Sequence, residues 1–370
     1  MAFQFQSVAA VAPLLGDAFG VSLADIGMLI GLYFAPGVAL ALPGGAIGHR
    51  FGDKQTVVAA LLMMLIGGLA MALSSSWSVQ IAGRLVSGAG GVMLNVQMTK
   101  MVADWFVGQE IATAMAIFVN SWPAGIALSL LLPLIGTTFG IGAVYLAVAA
   151  FIALALFLFA IAYRVPAQVS VPSAAASPRL DRTALIAVIT AGLMWGLFNV
   201  GFAMIFSFGP SMLVERGWSI SAAGSVISIV VWLAVVSVPL GGFVADRTAR
   251  PDFLLVTACI AFAVAMIALP RSEAVVPIVT ALGLIGGLPA GPIMSLPARV
   301  LKSGTRAIGM GIFYTLYYAA MMLGPVVAGA HAKWTGAAAS AFDVGAAVLL
   351  ACPVLLWGFN RLPVARPKMA

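Results

Sequence analysis

The sequence predicts an all-α membrane protein with twelve transmembrane helices arranged as two pseudo-symmetric six-helix bundles. Three observations predict it: composition, the number of apolar runs, and an internal repeat. Of 370 residues, 63% are hydrophobic and 8% charged, and mean hydropathy is +1.13. An ordinary soluble domain is about 45–50% apolar and about 25% charged, and a water-facing surface cannot hide this excess. Soluble enzymes, nucleic-acid readers and disordered scaffolds are excluded as whole-chain readings.

A spanning helix needs about 20 apolar residues. Runs bounded by Gly, Pro or charge place the first six spans at 1–16, 24–44, 55–74, 78–103, 109–134 and 141–163. The second six fall at 184–210, 220–243, 252–270, 274–298, 307–331 and 341–361. Ser22 and Asp25 have capping-box spacing at the start of span two. Span ten is interrupted at Gly286-Gly287-Leu288-Pro289, and span eleven at Gly324-Pro325, giving bending points. Residues 164–183, rich in Pro, Ala and Ser, read as a cytoplasmic linker between bundles 1–163 and 184–370.

Charge placement gives orientation. With both termini cytoplasmic, that side carries Arg50, Lys54, Lys100, Arg164, Arg179, Arg182, Arg247, Arg250, Arg299, Lys302, Arg306, Arg361, Arg366 and Lys368. The opposite side holds Arg216, Arg271 and Lys333, a strong positive-inside bias. Compact loops fit a bacterial inner membrane. Cys259 and Cys352 lie inside apolar runs without partner spacing, so no disulfide or metal framework is implied. No cofactor is called for.

A shift of 197 residues places Pro13 on Pro210, Gly45 on Gly242 and Arg50 on Arg247. A parallel repeat of six spans is a transporter architecture. The same shift starts the first-half counterpart of span seven before Met1. The first helix is thus short, about 22 Å at 1.5 Å per residue, and the natural protein is expected to begin upstream.

After span two comes Gly45-Ala46-Ile47-Gly48-His49-Arg50-Phe51-Gly52-Asp53-Lys54, and after span eight Gly242-Phe243-Val244-Ala245-Asp246-Arg247-Thr248-Ala249-Arg250. Glycine lets helices approach and the chain turn; the basic residues hold the segment at the cytoplasmic side. Both resemble the G-x-x-x-D-R-x-G-R-K loop of the major facilitator superfamily. His49 stands where that pattern has Asp, and Ala249 where it has Gly. Arg84-Leu85-Val86-Ser87-Gly88-Ala89-Gly90-Gly91 in span four is similar to the family's R-x-x-x-G-x-G element. The resemblance implies a secondary transporter whose two bundles rock around a central site. Gly45, His49, Arg50, Gly52, Gly242, Asp246 and Arg247 then serve as gating loops, or as anchors of topology and helix packing. Segments 104–110 (Asp104-Trp105-Phe106) and 291–298 (Gly291-Pro292-Ile293) resemble the cyanate-permease-type branch.

Candidate solute contacts follow from polar groups at membrane depth. Arg84 shares a helical face with Gly88, Gly91 and Asn95. An embedded charge normally faces a cavity or a partner, although a position two turns inside also allows snorkelling to the interface. Asn120, Trp122, Asn199, Tyr314, Tyr317 and Tyr318 each need a hydrogen bond in hydrocarbon, supplied by neighbouring helices or by a solute. The acids sit in loops or at helix ends, Asp343 being the borderline case, so no embedded carboxylate serves a cation. A small organic or inorganic anion, taken up by a monomer, is the expected substrate; export of a neutral or hydrophobic molecule is the alternative. No nucleophile or ligand cluster suited to a membrane enzyme is visible.

Overall fold

The computed structural model describes residues 1–106, 108–129, 131–164 and 180–363. It is all-helical, with no strand among the described residues. Most of the linker, and with it Arg179, lies outside them, as do Arg366 and Lys368.

The first half runs α1 (Ala2–Ala10), α2 (Ala12–Phe19), α3 (Leu23–Gly31), α4 (Ala35–Phe51), α5 (Asp53–Leu73), α6 (Trp77–Phe106), α7 (Ile111–Val119), α8 (Ser121–Ser129) and α9 (Leu132–Ala162). The second half runs α10 (Arg182–Glu215), α11 (Ile220–Thr248), α12 (Pro251–Ala268), α13 (Val275–Gly286), α14 (Ala290–Val300), α15 (Arg306–Thr335) and α16 (Ser340–Arg361). Ten described helical segments are long and apolar enough to cross a membrane. Residues 2–19, split into two short helices, and α6, which carries Arg84, Lys100 and Asp104, are not among these ten.

Several crossing segments are broken, and proline sets most of the breaks. Pro13, Pro36 and Pro133 stand at the first or second position of α2, α4 and α9. There the absent N–H costs nothing, and the ring prevents the preceding helix from running through. The predicted interruption of span ten is present between α13 and α14, where Pro289 precedes Ala290. Span eleven differs: α15 continues through Pro325. Gly140, at φ 81° and ψ 174°, joins two helices within α9, one residue before the predicted start of span six.

The expected turns also move. α4 and α11 run through the two repeated motifs to Phe51 and Thr248. The chain turns only at Gly52 (φ 85°) and at Ala249 (φ 53°). Elsewhere the caps agree with the residues. Ser22 and Asp25 form the expected capping box, and the carboxylate of Asp181 accepts from Ala184 N–H at 2.7 Å to start α10. Asp343 lies in the first turn of α16 and forms a two-point ion pair with Arg271 at 2.8 and 2.9 Å, so it belongs to a helix end.

The described chain sorts into two compact units. The first comprises 1–105, 121–178 and 303–315; the second comprises 106–120, 179–302 and 316–370. Within the first, Val8, Val11, Leu15, Ile26, Leu29, Val57, Leu61 and Met64 form a buried cluster closed by Val144 and Val148 of α9. Within the second, α10 packs along α16, and α12 along both α13 and α16. The outer faces carry large apolar side chains such as Phe139, Phe157, Phe253 and Val354, as lipid contact requires.

Candidate functional site

The chemistry of the first unit centres on Arg84. Its side chain is 1% exposed, so it does not snorkel to the interface. Its Nε donates to Leu29 O at 3.0 Å, Nη1 to Gln4 O at 2.9 Å and Nη2 to Phe5 O at 2.7 Å. One acceptor is a product of the helix break. Tyr33 N–H bonds Ile30 O at 3.3 Å instead of Leu29 O, which frees the Leu29 carbonyl for the guanidinium. The guanidinium carbon also lies 4.6 Å from the centroid of the Tyr33 ring and 5.7 Å from that of Phe5, in cation–π range. Among the described residues no carboxylate pairs with it.

Its surroundings are polar and tightly held. Gln4 Nε2 donates to Met64 O at 2.9 Å and to Ser87 Oγ at 3.1 Å, and Tyr33 Oη donates to Gln4 Oε1 at 3.2 Å. A Cβ on Gly88 would collide with the Tyr33 backbone, and one on Gly91 would stand 2.7 Å from Tyr33 Oη. The predicted face of α6 is therefore the one that receives the α3–α4 break. Beyond Arg84, half-buried aromatic rings gather: Phe34 stacks on Trp122 at 5.8 Å and tilts against Phe5 at 4.6 Å, and Phe5 meets Trp122 at 5.7 Å. Asn95 is buried on the same helix, with its carbonyl bonded to Thr99 Oγ1 at 2.7 Å. Thr99 Oγ1 in turn shares a 2.7 Å hydrogen bond with Tyr314 Oη.

The three candidate tyrosines of α15 are divided. Tyr314 lies in the first unit, whereas Tyr317 and Tyr318 lie in the second, with rings 4.9 Å apart. Tyr317 also sits 6.1 Å from the Trp195 ring. Asn199 ties its Nδ2 to Trp195 O at 2.8 Å. Asn120 ends α7, and its buried Oδ1 has no hydrogen-bond partner among the described residues.

The repeated motifs fare differently from one another. Asp246 accepts from Ala112 N–H at 3.3 Å and Thr113 N–H at 2.6 Å, capping α7; a carboxylate there meets both open donors and the positive end of the helix dipole. Gly242 makes room for this approach, since a Cβ would lie 2.5 Å from Ala112 O. Arg50 and Arg247 are exposed. Gly45 and His49 are helical, and the side-chain placement of His49 lies outside the described residues.

Sequence reasoning missed an ionic cluster in the first unit. Lys100 Nζ lies 2.7 Å from Asp53 Oδ1 and 2.8 Å from Asp104 Oδ2, while Arg306 Nη1 bonds Asp104 Oδ1 at 2.5 Å. The i,i+4 spacing of Lys100 and Asp104 was the available signal. Trp195 was missed too; its place one turn before Asn199 was the only hint.

A family model described as Major Facilitator Superfamily matches residues 1–269 and 184–368. The chain belongs to the Major Facilitator Superfamily. It is a multi-pass membrane protein related to secondary transporters. It is 25% identical over 264 residues to the hexuronate transporter of Bacillus subtilis, covering 66% of this chain and 61% of that one. It is 34% identical over 118 residues to azole resistance protein 1 of Saccharomyces cerevisiae, covering 32% of this chain and 19% of that one. The chain thus spans from a fifth to three fifths of the length of these curated relatives. The superfamily fold is matched in the crystal structure of the transporter FucP in its outward conformation, with a TM-score of 0.79 at 13% identity, over 97% of each chain.

Proposed function

We propose that this superfamily member takes up a small organic anion by alternating access, as a monomer in a bacterial inner membrane with both termini cytoplasmic. Arg84 carries the reading. Its three carbonyl partners solvate the guanidinium without neutralising it, so a full positive charge persists inside the first unit. At ~8 Å and an effective dielectric of ~20, such a charge favours an anion by about 2 kcal/mol. Selection is by field, because the bonded N–H groups already face backbone oxygens.

The hexuronate-transporter relative supports an organic anion, and the cyanate-permease-type resemblance of segments 104–110 and 291–298 supports a small anion. In this reading Asn95, Trp122 and Tyr314 contribute to solute handling from the first unit, and Asn120, Asn199, Tyr317 and Tyr318 from the second. Asp246, with Gly242 and Arg247, acts as a gate by holding or releasing the start of α7. Gly45, His49, Arg50 and Gly52 are the corresponding group of the first half.

A second reading, export of a neutral or hydrophobic compound, is favoured by the half-buried rings of Phe5, Phe34 and Trp122. The relative named for azole resistance also leans that way. Counterflow in proteoliposomes separates the two, using a hexuronate, short carboxylates, cyanate and a neutral sugar. Saturable exchange of an anion supports uptake of that class; exchange confined to neutral or apolar compounds overturns it.

A further inference from the structure

The second unit holds a hydrogen-bond donor with no acceptor. Trp195, in the middle of α10, is 5% exposed, and its buried Nε1 has no hydrogen-bond partner among the described residues. An indole nitrogen can only donate, and a buried one usually has an acceptor. In a membrane span the hydrocarbon supplies none. Leaving the donor unmade carries its full desolvation cost.

The ring cannot readily turn to find an acceptor. Phe198 stacks on it at 5.6 Å and 26°, and Tyr317 leans on it at 6.1 Å and 30°. On the next residue, a Cβ at Gly196 would stand 2.6 Å from the Ala320 Cβ, so α15 approaches closely beside the indole. Asn199, one turn further along α10, has its Nδ2 committed to Trp195 O at 2.8 Å, which leaves its Oδ1 as the group's acceptor. Donor and acceptor therefore sit one helical turn apart, the indole held by its ring neighbours and the amide by its hydrogen bond.

We propose that Trp195 Nε1 donates to an oxygen of the transported solute and is the residue of the second unit that selects for that oxygen. The solute class is an organic anion carrying an acceptor oxygen, such as a hydroxy- or sugar carboxylate. This rests on the transporter reading above.

The test compares wild type with Trp195→Phe, which keeps an aromatic ring and deletes the donor, and Trp195→His, which keeps a ring N–H. For an oxygen-bearing anion, Trp195→Phe is expected to raise KM about tenfold, the worth of one hydrogen bond to a charged or strongly polar acceptor. Its maximal rate stays within about twofold of wild type, since donor loss removes binding common to ground and transition states. Trp195→His recovers part of the KM, and a deoxy analogue lacking the acceptor abolishes the difference between wild type and Trp195→Phe. A KM unchanged in Trp195→Phe, with the same value for the deoxy analogue, overturns the proposal and leaves a trapped water as the acceptor. If Trp195→Phe does not insert, Trp195→His against Trp195→Leu gives the same contrast. The wild-type substrate panel judges the anion reading separately: a carrier of neutral oxygen-bearing solutes would refute that reading while the KM ratio still decides the role of Trp195.

Discussion

Arg299 Nη1 holds Asp252 Oδ1 at 2.7 Å, and this contact repeats that of Lys100 with Asp53 199 residues earlier. In both pairs the partners are 47 positions apart. The acid lies in the first turn of one crossing segment of its half and the base in the next segment, so the internal repeat extends to a specific ion pair. Environment separates the copies. The side chains of Lys100 and Asp53 are each 11% exposed, those of Arg299 and Asp252 26% and 37%. Asp53→Asn is therefore expected to cost about 2 kcal/mol, by removing one of the two carboxylates on a buried ammonium that keeps Asp104, against less than about 1 kcal/mol for Asp252→Asn. Thermal unfolding of the purified protein in detergent ranks the two; equal shifts would contradict the account.

The turn that ends each repeated motif gives a reciprocal expectation. Ala249 adopts φ 53° and its first-half counterpart Gly52 φ 85°, a region that penalises a Cβ. Ala249→Gly is expected to stabilise by about 0.5–1 kcal/mol and Gly52→Ala to destabilise by at least as much. The midpoint of thermal unfolding moves up for the first and down for the second.

Arg84 combines a charge with a three-way backbone clamp, and a lysine keeps only the charge. An ammonium cannot reproduce the planar fork that reaches Leu29, Gln4 and Phe5. Arg84→Lys is expected to lower the thermal midpoint by several degrees while preserving the preference for anions over neutral solutes. Loss of the preference with the fold intact would show that geometry, rather than charge, does the selecting.

Asp246 predicts a local effect at α7. Asp246→Ala removes an acceptor from Ala112 and Thr113 and is expected to weaken that helix start by about 1–2 kcal/mol, with Asp246→Asn losing less. Hydrogen exchange of the peptide covering 110–116 reads this directly: faster exchange in the alanine variant supports the cap, and unchanged exchange contradicts it.

Much of this was legible in the residues. Apolar run length located the crossing segments within a few positions, because in lipid the helix is the available solution for a spanning backbone. The break in span ten was visible at Gly287-Leu288-Pro289. Proline alone did not settle the others: Pro36 stands at a break whereas Pro43, Pro210 and Pro325 sit inside helices, since neighbouring helices can satisfy the freed carbonyls. For the same reason the partners of Arg84 were hidden. They are main-chain oxygens, and one is freed only when Tyr33 bonds Ile30 instead of Leu29. The spacing of Tyr314, Tyr317 and Tyr318 puts them on one face of α15, but a face does not name its neighbour, and Tyr314 meets Thr99 while Tyr317 meets Trp195.

The most direct measurement is the ratio of counterflow rates for a hexuronate and its neutral hexose, in wild type and in Arg84→Gln reconstituted at equal density. Glutamine keeps a donor and deletes the charge. A field worth about 2 kcal/mol corresponds to a ratio about 30-fold lower in the variant. A ratio unchanged in a folded, transporting Arg84→Gln protein would contradict the claim that the buried guanidinium selects the solute.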